Sequence, residues 1–72
     1  MTTVELRTLR SGDYVRCITD ELNNRGIKKD EIYKVKQTGT SIWENYSYAD
    51  IYRKDGREFE VYYKNCQHFE IA

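Results

Sequence analysis

The chain has no proline, one histidine and two cysteines, and each scarcity removes a class of protein. Without proline there is no proline-rich spacer, and neither an internal repeat nor a linker divides the chain. Cys17, Cys66 and His68 are its only cysteine and histidine side chains, one short of the four ligands that a structural zinc site normally takes. No metal or other cofactor is expected. Cys17 and Cys66 lie far apart, and no apolar signal segment follows Met1-Thr2-Thr3-Val4-Glu5. This is the pattern expected of reduced thiols in a cytoplasmic protein. No apolar run approaches the roughly 20 residues that cross a bilayer, so no membrane association is expected.

Net charge is also missing. Twelve Lys and Arg balance twelve Asp and Glu, so no overall field draws phosphate in or drives it away. That argues against a general nucleic-acid coat and equally against an acidic mimic of nucleic acid.

What is present is a single small domain. With 72 residues, 39% hydrophobic and 33% charged, the chain has a folded composition and a stability on the order of 5 kcal/mol. Seven tyrosines, two phenylalanines and one tryptophan favour pleated sheet over a helical bundle.

Thr2 to Arg10 carries Val4, Leu6 and Leu9, which fits either a short strand or one amphipathic turn. Residues 1–11 are therefore an N-terminal arm or short strand before a domain spanning 12–72. Ser11-Gly12-Asp13 is a turn signal that launches a strand from Tyr14 to Thr19, with Val15 and Cys17 on the core face. Asp20 to Gly26 is an excursion loop able to form one helical turn. Ile27 anchors the chain before a second strand, Ile32 to Gln37, whose Tyr33 and Val35 face inward. Thr38-Gly39-Thr40-Ser41 reads as a turn, followed by an aromatic segment with Ile42, Trp43 and Tyr46.

From Tyr48 to Tyr63 the pattern is a β-hairpin around Lys54-Asp55-Gly56. A two-residue loop would split Ile51 from Phe59 and Val61. A three-residue loop with Gly56 in the left-handed position pairs Arg53 with Arg57, Ile51 with Phe59 and Ala49 with Val61, and so gives one apolar face. The opposite face then holds Tyr48 beside Tyr62, Tyr52 beside Glu58, and the like-charged pair Asp50 and Glu60. Lys64 to His68 reads as a turn or tight helical turn, and Phe69-Glu70-Ile71 as a last strand. Five to six short antiparallel strands in so few residues imply an all-β, closed or nearly closed barrel, with at most one short helical turn.

Gly12-Asp13-Tyr14-Val15-Arg16-Cys17-Ile18, a polar loop, Lys28-Lys29-Asp30-Glu31-Ile32-Tyr33-Lys34-Val35, the Lys54-Asp55-Gly56 hairpin and the terminal Phe69-Glu70-Ile71 together resemble small stand-alone SH3-like barrels of bacteriophage and prophage type. Asp30 stands where such barrels usually place glycine, and aspartate tolerates the left-handed geometry needed there. The resemblance implies a binding module in a bacterial host cell, not an enzyme, with partners that vary among members. With Trp43 the only tryptophan, the aromatic groove of proline-peptide readers is not expected.

Cys66-Gln67-His68 is a weak candidate for a nucleophile with its base, since no third orienting group or oxyanion site accompanies it. The aromatic set carries more. Trp43, Tyr46, Tyr48, Tyr52, Tyr62 and Tyr63 exceed what so small an interior holds, and exposed tyrosine, tryptophan and arginine anchor protein interfaces. The candidate partner-binding residues are Trp43, Tyr46, Tyr48, Tyr52, Arg53, Arg57 and Tyr62. The expected function is a non-catalytic protein-interaction module, a phage-encoded modulator or inhibitor of a host protein or complex. Arg53, Lys54, Arg57 and Lys64 beside aromatics make a nucleic-acid or nucleoprotein accessory barrel the alternative, although Asp50, Asp55, Glu58 and Glu60 interleave them. A third reading is a homo-oligomer formed through a sheet edge.

Overall fold

Alternating side chains build the first strand pair. In the computed structural model, which describes residues 1–72, β1 (Tyr14–Cys17) runs antiparallel to β2 (Ile32–Ser41) with Tyr14 opposite Lys34, Val15 opposite Tyr33 and Arg16 opposite Ile32. The opposite edge of β1 takes β5 (Phe69–Ile71), with Cys17 opposite Phe69. The far half of β2 pairs with β3 (Tyr46–Tyr52), which in turn pairs with β4 (Glu58–Val61). The result is a five-stranded antiparallel sheet in the order β4-β3-β2-β1-β5.

The β3–β4 hairpin has the register that its apolar pattern requires. Ala49 lies opposite Val61, Asp50 opposite Glu60, Ile51 opposite Phe59 and Tyr52 opposite Glu58. Gly56, at φ 89°, closes the turn, its N–H donating to the Arg53 carbonyl at 3.0 Å, while the Arg53 N–H donates to the Arg57 carbonyl at 2.7 Å. Asp30 adopts φ 69° immediately before β2, and its N–H reaches the Cys17 carbonyl at 2.7 Å.

Two expectations are corrected. Thr38 to Ser41 is not a turn but the second half of β2, paired with Ala49, Tyr48, Ser47 and Tyr46 in order. The chain turns instead at residues 42–45, where Asn45 takes φ 55° and donates its N–H to the Ser41 carbonyl at 2.9 Å. The sheet is also open rather than closed into a barrel, because no ladder joins β4 to β5. Side chains fill that gap: the rings of Phe59 on β4 and Phe69 on β5 stand 6.2 Å apart. A 3-10 turn, Cys66–His68, feeds β5.

All eight anticipated inward residues are buried: Val15, Cys17, Tyr33, Val35, Ala49, Ile51, Phe59 and Val61. Leu6, Leu9, Ile27, Cys66 and Phe69 complete the same core. Of the two readings of the N-terminal arm, the helical turn forms: α1 (Thr3–Leu6) starts with a capping box in which the Glu5 N–H donates to Thr2 Oγ1 at 3.1 Å and the Thr2 N–H to Glu5 Oε1 at 3.0 Å. That turn delivers Leu6 to the core and leaves Val4 outside.

Because left-handed geometry strains a residue with a Cβ, Asp30→Gly is expected to hold or raise stability, by up to about 1 kcal/mol, whereas Asp30→Val lowers it by about 1–2 kcal/mol. Urea unfolding midpoints check this, and a clear loss in Asp30→Gly would contradict it.

Candidate interaction surface

Strand alternation sends Tyr46, Tyr48, Asp50 and Tyr52 of β3, with Glu58 and Glu60 of β4, to the side of the sheet away from the core. Across β3 from β4, the ladder of β2 contains one extra residue, Lys36, between the Val35–Ile51 and Gln37–Asp50 pairs. This bulge puts two donors among the carboxylates: Lys36 forms an ion pair with Glu58, and Gln37 Nε2 donates to Asp50 Oδ2 at 2.8 Å. Lys36 accordingly holds its proton more tightly than an ordinary lysine, chiefly through the hydrogen bond to Glu58. Glu60, opposite Asp50, accepts from the Tyr46 hydroxyl at 3.2 Å. The like-charge pair is thus relieved on both sides by neutral donors.

The β3–β4 ladder ends at Ala49–Val61, one pair short of Tyr48 and Tyr62, and Tyr48 reaches toward β2. Its hydroxyl end lies over Gly39, its partner in β2, so closely that a Cβ at Gly39 would meet the Tyr48 oxygen at 2.6 Å. An aromatic ring covering a strand glycine replaces the missing side chain. Tyr62, just beyond β4, packs instead on Tyr46 and Tyr63, with ring centroids 5.4 Å away in each case, and Tyr46 is 5.5 Å from Tyr63. Edge and tilted geometries of this kind add attraction beyond area burial. Tyr52 is exposed at the other end of the strand, and Trp43, at the tip of the β2–β3 hairpin, is 90% exposed beside Ile42 at 85%.

The two arginines of the predicted set fall elsewhere. Arg57 is tied to Asp55, Nε to Oδ2 at 3.0 Å, and the Arg57 amide and guanidinium hold the Asp55 carboxyl below its ordinary 3.8. Arg53 turns off the tyrosine face, and its guanidinium sits 5.5 Å from the centre of the Phe59 ring. Arg25, from the 3-10 turn Asn23–Arg25, approaches the same ring at 5.6 Å. Both arginines line two adjoining clefts of about 440 and 240 Å³. Sequence reasoning missed Arg25; only Gly26 after it, at φ 80°, marked the loop's turn back.

Cys17 and Cys66 are buried, Cys17 Sγ donates to the Thr19 carbonyl at 3.1 Å, and His68 faces Glu21 at 3.5 Å. No group of three or more His, Cys, Asp or Glu is arranged to hold a metal ion, and no helix is long and apolar enough to cross a membrane.

Tyr46 holds its phenolic proton above the ordinary 10.0, first through loss of hydration and then through the neighbouring Glu60 charge. Folding is therefore unaffected by this group below the unfolded-state pKa and loses stability as pH rises from there through the folded one. In an ultraviolet phenolate titration, Tyr46→Phe should remove one ionisation from above the ordinary tyrosine range; a titration unchanged there would contradict the assignment. The chain matches no protein-family model, no curated protein and no solved structure.

Proposed function

We propose that this chain is a small, non-catalytic protein-interaction module of SH3-like type that docks one protein partner on its β2–β3–β4 face. The observation that carries the reading is the Tyr46–Tyr62–Tyr63 cluster, three packed rings on a surface that also presents Tyr52 and the fully projecting Trp43. Rings braced against one another lose little freedom on binding, and their hydroxyls stay wet until a partner covers them. The strand order, with a 3-10 turn leading into β5, supports the SH3-like assignment.

By its resemblance to phage and prophage barrels, the partner is a host bacterial protein or complex in the cytoplasm, and the chain modulates or inhibits it. Nucleic-acid binding is the second reading, favoured by the basic lining of the clefts around Arg25 and Arg53. Glu58 and Glu60 line the larger cleft, and acid at that spacing weakens a phosphate track. A titration with single-stranded DNA at two salt concentrations separates the readings: the interaction module gives no steep, salt-sensitive binding.

Trp43 makes the sharper test because it is almost wholly exposed. Trp43→Ala should change stability by less than about 0.5 kcal/mol while lowering partner capture from bacterial lysate at least tenfold, as removal of an interface anchor does. Tyr62→Ala should do the same at some cost in stability. Undiminished capture by both variants would overturn the surface assignment.

A further inference from the structure

The positive side chains near the hairpin fall into two groups. Arg57 is neutralised by Asp55, and Lys54 pairs with Glu31 at 3.4 Å and lies over the Tyr33 ring at 5.2 Å. Arg25 and Arg53 have no carboxylate partner and make no side-chain hydrogen bond. Yet both guanidiniums lie within 5.6 Å of the Phe59 ring centre. Arg53 Nε is itself out of solvent and unpaired. A buried N–H without an acceptor costs about 1–3 kcal/mol, and a second cation brought to the same ring adds repulsion. Both arginines line the clefts, and an anion held there offsets the repulsion between them.

We propose that the Arg25–Arg53 cleft is a carboxylate site that takes an aspartate or glutamate side chain from an acidic peptide segment of the protein partner. The inference rests on the interaction-module reading and names the chemistry that the module recognises. Each guanidinium presents a planar fork that matches a carboxylate in bidentate fashion, and the Phe59 ring attracts both. The rest of the lining selects among anions. Asp55 borders the smaller cleft, and Glu58 and Glu60 border the larger, so a singly charged carboxylate is tolerated where a phosphate dianion or a continuous nucleic-acid backbone meets repulsion. Tyr62, Asn65 and His68 line the larger cleft and supply polar groups for the peptide beside its acidic residue. The Tyr62 ring joins this cleft to the tyrosine cluster, so one partner strand can reach both.

The test follows the arginine Nε–Hε NMR signals while the full chain is titrated with a capped hexaglutamate peptide, and in parallel with capped hexalysine, inorganic phosphate and single-stranded oligothymidine. Saturable shifts at Arg25 and Arg53 with hexaglutamate, larger than those at Arg10 and larger than with phosphate or DNA, are expected. Arg25→Gln and Arg53→Gln should each weaken the response at least tenfold, and Arg53→Lys should weaken it although the charge is kept. Arg25 lies on an exposed loop, which makes its replacement readable even if Arg53→Gln loosens the fold. Equal responses to phosphate or DNA, or a hexaglutamate response that survives Arg25→Gln, would overturn the carboxylate assignment. If lysate capture by the wild-type chain persists in that case, the interaction-module reading stands alone; absence of any capture overturns that reading instead.

Discussion

β2 serves two neighbours, one on each edge, and the two ladders overlap around Val35 and Lys36. On one edge the Val35 N–H donates to the Asp13 carbonyl, the Val35 carbonyl accepts from Gly12, and the Lys36 carbonyl takes the Ser11 hydroxyl at 2.7 Å, while on the other Val35 already pairs with Ile51 of β3. Beyond the extra residue, every residue from Gln37 to Ser41 pairs with β3. A bulge bends its strand and increases its twist, and that bend lets one strand take part in both halves of a sheet that wraps a single core. Gly12, at φ 94°, supplies the turn that brings Ser11 and Asp13 back to the bulge. The first turn signal of the sequence thus acts on a residue more than twenty positions later.

The same residue sets the electrostatics of the outer face. Asp50, Glu58 and Glu60 lie together there because the core needs the alternate positions Ala49, Ile51, Phe59 and Val61. Left alone they would repel one another. Lys36 and Gln37, both brought over them by the bulge, and the Tyr46 hydroxyl answer them one by one. What this leaves is a sheet face whose carboxylates are all hydrogen-bonded, with tyrosine at one end and unpaired arginine beside it. Such a surface suits selective contact with a protein better than tracking of a charged polymer.

Much of this architecture was legible because hydrophobic pattern and turn chemistry agreed. In the hairpin, only one register puts Ala49, Ile51, Phe59 and Val61 together, and the left-handed requirement at Gly56 coincides with it. The left-handed turn at Asp30 was marked differently, by the resemblance to barrels that place glycine there. Thr38-Gly39-Thr40-Ser41 was misread since its local composition is that of a turn, while the feature that makes it a strand, the Tyr48 ring laid over Gly39, comes from another strand. Barrel closure failed as an expectation because strand count does not reveal whether two edge strands meet; here Phe59 and Phe69 touch without a ladder. The candidate site was only partly readable. Alternation placed Tyr48 and Tyr52 outward, but the tilt of Tyr62 toward Tyr46 and the convergence of Arg25 and Arg53 on one ring depend on how a loop folds back.

The central claim is that one face of this small sheet is a protein-recognition surface. Site-specific photocrosslinking in bacterial cells tests it most directly, with a benzophenone side chain placed in turn at Tyr52, Trp43 and Tyr63 on or beside that face and at Lys29 and Glu70 away from it, all of them exposed. The account predicts that the first three positions give crosslinks to one and the same protein, and that Lys29 and Glu70 give none. Crosslinking chiefly from Lys29 or Glu70, or no shared product from the tyrosine face, would contradict it.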